Sequence, residues 1–284
     1  MTLKVIAYAR NGHTDKFGIP RQSRDESPIM TRIVFEPEFA VQEALRGIEG
    51  YSHLWLIWGF SEISKEGQRD RKECTMKDVQ STKEGLSWSP TVRPPKLGGN
   101  KRMGVFATRS PFRPNPIGLS SVRLIKVAYP RPLPKGKGGQ LELLVSGADL
   151  LDGTPIYDIK PYLSFSDCHE DAKNGFAEET RNRTFAVVWD EHVLFNGENY
   201  SERVLPPCCL RYDSDTPPCP SEQEMKEICY ILSQDPRPGY QDDPEREYKM
   251  DYAGWTVTFC VENQKVCIKN IERCGTLKTS SKEL

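Results

Sequence analysis

Short runs of β-branched and aromatic residues, each bounded by Gly, Pro or Asn, recur through the first 150 residues. Runs of this kind predict strands. The run YSHLWLIWGF at 51–60 is apolar almost throughout, so we expect a strand that is buried on both faces. The sequence therefore predicts a mainly β fold. The predicted strands are 3–9, 31–35, 51–60, 103–108, 120–127 and 141–146.

Helix signals are few. Pro37 in the first turn and a stop at Gly47 predict one short helix, whose main part is 40–46. Ser221 and Glu224 form a capping box, and apolar residues follow at helical spacing. Alternating runs at 255–261 and 266–271 then predict two strands joined by a turn.

These patterns divide the chain into a β-rich part and a smaller α+β part. We expect an N-terminal domain at 1–165 that contains a charged, solvated insertion at 64–87. The segment 166–220 is ambiguous and connects the two parts. The predicted α+β C-terminal domain covers 221–275, and a tail covers 276–284.

The overall composition excludes several classes of protein. The 284 residues carry 39 basic and 40 acidic side chains, and no run approaches the ~20 apolar residues that span a bilayer. The N-terminus lacks a signal-peptide pattern, so we expect a cytoplasmic protein, with the nucleus or an organelle left open. Nine cysteines in an odd count, without zinc-site spacing, predict reduced thiols and no metal site.

The charge is distributed unevenly along this nearly neutral chain. Residues 91–123 contain seven basic side chains and no acidic one, which indicates phosphate binding. Within them, RSPFRPNPIG at 109–118 holds three prolines that fix the backbone and leave two arginines and an asparagine in a stiff loop. A solvated face balanced by acids elsewhere is the alternative. The nucleic-acid-binding candidates are Arg93, Lys96, Lys101, Arg102 and Arg113.

Two further polar loops lie at 10–22 and 149–162. In the second loop, the Asp152–Gly153 turn could direct backbone N–H groups and the Thr154 hydroxyl at a ligand. Taken singly, each is more typical of an ordinary turn. No dinucleotide-binding G-x-G-x-x-G, P-loop, G-x-S-x-G or H-E-x-x-H pattern occurs. From the residues alone, we expect a β-rich domain that binds nucleic acid.

Taken together, the loops carry a family resemblance. The chain resembles the TrmO (YaeB/TsaA-like) family of tRNA methyltransferases over most of 1–165. The matching motifs are RNG…PRQ at 10–22, GYSHLW at 50–55, VRPPKLGGN at 92–100, GVFATRSPFRPNPIG at 104–118 and DGTPIYDIKPY at 152–162. The segment DPRPGY at 235–240 and the strand with Trp255 resemble the small C-terminal domain of that family.

The resemblance implies a small single-sheet β-barrel, a homodimer, and S-adenosylmethionine as cofactor. The implied reaction methylates the exocyclic amine of N6-threonylcarbamoyladenosine, immediately 3′ of the tRNA anticodon. At two further cofactor positions the family commonly has His followed by Gln or Lys, where this chain has Ser61 and Glu62. The implied cofactor-binding residues are Pro20, Arg21, Gln22, Ser61, Glu62, Arg109, Leu119, Asp152, Gly153, Thr154 and Pro155.

For the chemistry, we expect alignment and hydrogen bonding to dominate, because the acceptor amine is a weak nucleophile. Asn115 is the candidate for holding this amine, and Asp158 is the alternative acceptor or base. Arg113 and Arg21 are candidates for the threonylcarbamoyl carboxylate, since a guanidinium fork fits a carboxylate. Two other readings stay open: a catalytically inactive RNA-binding β-module, and a methyltransferase with a different acceptor.

Overall fold

The computed structural model describes residues 3–60, 88–94, 101–129, 140–178, 184–195, 198–199, 219–237, 243 and 245–274. The strands of the N-terminal part are β1 (Ala7–Arg10), β2 (Met30–Phe35), β3 (His53–Gly59), β4 (Thr91–Val92), β5 (Met103–Gly104), β6 (Ile117–Ala128), β7 (Glu142–Ser146) and β8 (Pro155–Pro161). The C-terminal part contributes β9 (Ala186–Phe195), β10 (Glu198–Asn199), β11 (Tyr248–Tyr252), β12 (Trp255–Glu262) and β13 (Lys265–Arg273). Within the described residues there are two α-helices, α1 (Ser164–Asp167) and α2 (Glu222–Ser233).

Six of these strands form a closed barrel. Their order is β1-β2-β7-β6-β3-β8, β8 pairs back onto β1, and every neighbouring pair is antiparallel. Closure leaves no free sheet edge and encloses a core of aliphatic side chains. The predicted fold class, a mainly β barrel with a smaller α+β part, is confirmed.

Strand β3 lies between β6 and β8 in this barrel. Leu54 and Leu56 are fully buried and Trp58 is nearly so, while the alternate side chains are only half-buried. The expected burial on both faces is therefore wrong. In a small barrel one face of each strand points into the core and the other points outward.

Two further predicted elements are shorter than expected, because 3₁₀ turns form in their place. The predicted strand at 103–108 shortens to β5 and continues as a 3₁₀ turn at Val105–Ala107. The predicted helix at 37–46 is instead two 3₁₀ turns, Gln42–Leu45 and Ile48–Gly50. Gly47 lies between these turns with φ 88°, a left-handed conformation that ends a helix. The sequence patterns did not predict β8, because Asp158 and Lys160 interrupt its apolar residues and a proline forms each of its ends.

The C-terminal part folds as a separate unit, with α2 beside a five-stranded sheet. The capping box at Ser221 and Glu224 is present, so the predicted helix start is confirmed. The sheet order is β10-β9-β13-β12-β11, and β9 pairs with β13 in parallel. The predicted hairpin forms, and its turn residues Asn263 and Gln264 have φ values of 50° and 62°. Positive φ at both central positions suits a two-residue hairpin turn.

The chain forms two compact units, and each unit is built from segments that are not contiguous in the sequence. One unit comprises Met1–Asn11, Pro20–Arg181 and Pro238–Gln241; the other comprises Gly12–Ile19, Asn182–Arg237 and Asp242–Leu284. Residues 12–19 thus pack with the C-terminal sheet: Ala253 N donates to Gly12 O at 2.8 Å. The domain boundaries predicted from the sequence stay a prediction.

The cysteines differ from expectation at one position. Cys219 is disulfide-bonded, to a partner outside the described residues. Spacing rules for zinc or redox motifs do not reveal such a bridge, so the expectation of reduced thiols throughout is wrong. Among the described residues, the cysteines outside any disulfide are Cys168, Cys229, Cys260, Cys267 and Cys274.

Candidate functional site

The loops that follow β1 and precede β8 are tied together. The Asn11 backbone N–H donates to Asp152 Oδ1 at 3.1 Å, and Arg10 Nη1 lies 3.4 Å from Asp152 Oδ2. The Asn11 side chain donates to the carbonyl oxygen of Leu150 at 2.9 Å. The R-N-G and D-G-T-P segments, about 140 residues apart in sequence, therefore form one structural unit.

The turn at 152–154 uses most of its own donors. Gly153, with φ 78°, donates its N–H to Ala9 O at 2.9 Å. The backbone N–H and the hydroxyl of Thr154 both donate to Leu151 O, at 3.1 and 2.7 Å. The expectation that these donors point at a ligand is wrong, because backbone carbonyls already satisfy them. Cofactor binding by Asp152, Gly153, Thr154 and Pro155 as a segment stays a prediction.

A second contact joins the loop after β1 to the proline-rich loop. Arg109 donates from its guanidinium to the side-chain oxygen of Gln22. Arg109 also acts electrostatically on Asp149, which lies three residues before Asp152. Residues from three distant segments thus meet at one place, and all are candidates for holding the same ligand.

Asp149 is a further candidate residue, for which the sequence alone indicated no individual role. Ser120 donates its hydroxyl to Asp149 Oδ1 at 2.5 Å, and Trp58 Nε1 donates to Ser120 Oγ at 2.9 Å. Desolvation raises the pKa of Asp149, while the Ser120 hydrogen bond and the Arg109 charge oppose this shift. An aspartate placed directly before two leucines was the available signal.

Strand pairing places three further side chains in a row on the outer face of the barrel. Leu119 on β6 and Asp158 on β8 both pair with Ile57 on the central strand β3. Leu119 is 55% exposed, and Asp158 lies 3.0 Å from Lys160 Nζ. This row places the alternative catalytic carboxylate and a predicted cofactor contact on either side of Ile57.

The proline-rich loop presents Asn115 to solvent and holds Arg113 in place. Asn115 is exposed, and its backbone carbonyl oxygen accepts a hydrogen bond from the Ile117 N–H at 2.8 Å. Arg113 Nη1 donates to the carbonyl oxygens of Val105 at 3.2 Å and Thr108 at 2.8 Å. Part of the Arg113 guanidinium therefore stabilises the loop.

The other predicted basic residues lie on the β4–β5 hairpin and nearby. Arg93 and Lys101 are exposed, and Arg102 Nε donates to Thr91 Oγ1 at 3.1 Å. Arg21 is exposed, and Pro20 is half-buried. Ser61, Glu62 and Lys96 lie outside the described residues.

An ion cluster anchors the loop that carries Pro20, Arg21 and Gln22. Asp25 Oδ1 accepts from Arg123 Nε at 2.7 Å and lies 2.8 Å from His53 Nε2, and Ser52 Oγ is 2.8 Å from His53 Nδ1. The hydrogen bonds from Arg123 and His53 lower the pKa of Asp25 to about 2. This contact gives the G-Y-S-H-L-W motif a structural role that the sequence analysis did not assign.

In the described parts of the chain, no group of three or more His, Cys, Asp or Glu is arranged to hold a metal ion. No described helix combines the length and the apolar character needed to cross a bilayer.

Comparison with known proteins gives matches to both parts of the chain. Residues 8–168 match the family model described as tRNA-methyltransferase O N-terminal domain, and residues 218–274 match the TrmO C-terminal domain. The chain belongs to the TrmO family. The family expected from the sequence motifs is thereby confirmed, including its C-terminal domain.

Individual relatives extend the likeness over nearly the whole chain. A "tRNA (adenine(37)-N6)-methyltransferase" of Eikenella corrodens is 42% identical over 78% of this chain and 97% of its own. The Escherichia coli protein of the same name is 36% identical over 90% of this chain and 89% of its own. A crystal structure of TrmO from Pseudomonas aeruginosa is 27% identical, with a TM-score of 0.61 over 95% of this chain and 97% of its own.

Proposed function

We propose that this member of the TrmO family transfers the methyl group of S-adenosylmethionine to the exocyclic amine of N6-threonylcarbamoyladenosine, immediately 3′ of the tRNA anticodon. The coarser function, S-adenosylmethionine-dependent methylation of N6 of adenine 37 in tRNA, follows from family membership and from the names of the relatives. The single observation that supports the site is the meeting of Gln22, Arg109 and Asp149.

The residues at this place fit the cofactor chemically. S-Adenosylmethionine supplies an electrophilic methyl group on a sulfonium, together with an amino-acid end that carries both charges. The Arg109 guanidinium suits the carboxylate of that end, and the carboxylates of Asp149 and Asp152 suit its ammonium or the ribose hydroxyls. Leu119 offers an exposed apolar surface on the outer face of the barrel. The adjacent loop residues Pro20, Arg21 and Gln22 complete the proposed cofactor-binding set.

On the substrate side, the stiff loop supplies the orienting groups. The Asn115 amide oxygen accepts a hydrogen bond from the acceptor amine and thereby helps to localise the nitrogen lone pair. Asp158 is the alternative acceptor. Arg21 binds the threonylcarbamoyl carboxylate, with any Arg113 N–H groups that the loop carbonyls leave available.

The exposed basic residues are the proposed phosphate-binding groups. Arg93, Lys101 and Arg102 lie on the hairpin next to the loop, where they can neutralise anticodon-stem phosphates. We further propose a homodimer that works in the cytoplasm on the tRNA pool.

The decisive experiment is nucleoside mass spectrometry of tRNA from cells that lack the protein. We expect loss of the N6-methyl form and accumulation of unmethylated N6-threonylcarbamoyladenosine, with recovery when the gene is restored. Loss of methylation at another nucleoside would identify a different acceptor. Unchanged tRNA, together with no S-adenosylmethionine binding in calorimetry, would leave an inactive RNA-binding module.

A further inference from the structure

An exposed aromatic ring lies in the middle of the basic segment. Phe106 is 72% exposed, although phenylalanine is among the side chains that proteins usually bury. Trp88 stacks beside it, with ring centroids 6.4 Å apart and an interplanar angle of 27°. Phe112, in the proline-rich loop, is 47% exposed. Neither the cofactor contacts nor the acceptor-binding roles proposed above use these rings.

The local structure keeps the Phe106 ring outward. Val105, the preceding residue, is buried, and its N–H donates to Pro90 O at 2.9 Å. Because Arg113 donates to the carbonyl oxygens of both Val105 and Thr108, the turn that carries Phe106 is tied at both ends. The guanidinium carbon of Arg113 also lies 5.7 Å from the centroid of the Phe106 ring. The ring is therefore presented on a tied support before any ligand binds.

The charge around the ring indicates what covers it. No acidic residue occurs between positions 88 and 123, and Arg93, Lys101 and Arg102 are exposed on the adjoining hairpin. An apolar protein partner would not require this excess of positive charge. A phosphate backbone matches it, and an unpaired base matches the flat apolar ring.

We propose that Phe106, supported by Trp88 and Arg113, is a stacking platform for an unpaired base of the tRNA anticodon loop. This inference rests on the proposed function and adds how the substrate is recognised. An aromatic face binds bases of any sequence, whereas the basic hairpin follows the backbone. The platform therefore favours an opened, unstacked loop over a continuous helix.

The test is binding of a fluorescently labelled anticodon stem-loop RNA to the full chain, over a range of salt concentrations. We expect Phe106→Ala to weaken binding about tenfold, the order of magnitude of one lost base stack. The slope of log Kd against log salt should stay unchanged, because no phosphate contact is removed. Lys101→Ala should instead flatten that slope by about one ion.

Two further variants act as controls. Phe106→Trp keeps an aromatic face and should retain the affinity of the unmodified chain. Phe165→Ala removes another exposed ring, 86% exposed on α1, and should change the affinity by less than about twofold, since it removes no proposed contact.

The following results would contradict the proposed platform or the proposed function. Unchanged affinity of Phe106→Ala, or equal losses in Phe106→Ala and Phe106→Trp, overturns the platform. A Phe106→Ala variant that changes sedimentation without RNA assigns the ring to contact with a second copy of the chain and likewise overturns it. If the unmodified chain methylates tRNA while Phe106→Ala binds normally, only this inference fails; if the unmodified chain does not methylate tRNA, the proposed function fails.

Discussion

The barrel unit and the C-terminal unit differ in where they place apolar side chains. Among the described residues, eleven of the twelve exposed large hydrophobic side chains belong to the barrel unit, and only Val188 belongs to the other. Single exposed apolar residues are ordinary on protein surfaces, so those grouped with other candidate residues are the informative ones. Phe106 lies against the Arg113 guanidinium, and Leu119 pairs with Ile57 in the row that also holds Asp158.

The two units also contain different kinds of polar contact. In the C-terminal unit, the Tyr252 hydroxyl donates to Glu227 at 2.8 Å within the core, and burial beside that carboxylate raises the pKa of Tyr252 strongly. In the barrel unit, Arg109 and Gln22 pair at an exposed position. The contact between Tyr252 and Glu227 thus stabilises a core, whereas the Arg109 and Gln22 pair stays accessible to a ligand.

The largest expected effect is catalytic and belongs to the barrel. Asn115→Ala should lower single-turnover methyl transfer by about 100-fold or more, as loss of one transition-state hydrogen bond does elsewhere. Binding of S-adenosylmethionine, measured by calorimetry, should be retained. Asn174→Ala, which changes another exposed asparagine of the same unit, is the matched control. An unchanged rate for Asn115→Ala would remove this residue from the mechanism.

The second prediction concerns a buried group of the C-terminal unit. Burial lowers the pKa of His13 from 6.5 to about 4, so below pH 6.5 the unfolded chain takes up a proton that the folded chain does not. The free energy of unfolding should therefore fall as the pH drops from about 6.5 to about 4, by at most about 3 kcal/mol from this group.

Urea denaturation at several pH values measures this slope. His13→Gln should lose the His13 part of the slope, while His169→Gln, at an exposed position, should keep it. Equal slopes in all three proteins would show that His13 is not buried in its neutral form, and the contrast between the two units would weaken.

The third prediction tests the barrel core. A Cβ on Gly118 would lie 2.2 Å from Trp58 Cε2, so Gly118→Ala must displace a packed indole. We expect a loss of about 1–3 kcal/mol of stability, the usual cost of overpacking. Gly50→Ala meets nothing within 4 Å and is the control. Equal urea midpoints for the two variants would mean that the core around Trp58 is loosely packed.

The smallest expected effect concerns the anchor of the cofactor loop. Asp25→Asn weakens the contact with Arg123 and His53 and should raise the Kd for S-adenosylmethionine about fivefold, since half-exposed ion pairs contribute about 1 kcal/mol or less. Glu26→Gln is the matched control. Because the pKa of Asp25 is lowered to about 2, the anchor should weaken only between about pH 4 and pH 2. A Kd equal to that of the unmodified chain would separate the cluster from cofactor binding.

Much of this protein was predictable from local patterns. The capping box specified the start of α2, and alternation at 255–261 specified β12 with its hairpin partner. These signals depend on neighbours within a few residues, so a single sequence contains them. The motif GVFATRSPFRPNPIG likewise identified the family, because its spacing is read directly along the chain.

What the chain could not reveal by itself is which distant residues meet. Barrel closure sets the pairing of β8 with β1 and of β3 with β6 and thereby decides that Asp149 lies beside Ser120 and Arg109. Strand register and contacts between residues 29 to 141 positions apart in sequence depend on the packing of the whole barrel, so only the tertiary structure assembled the site.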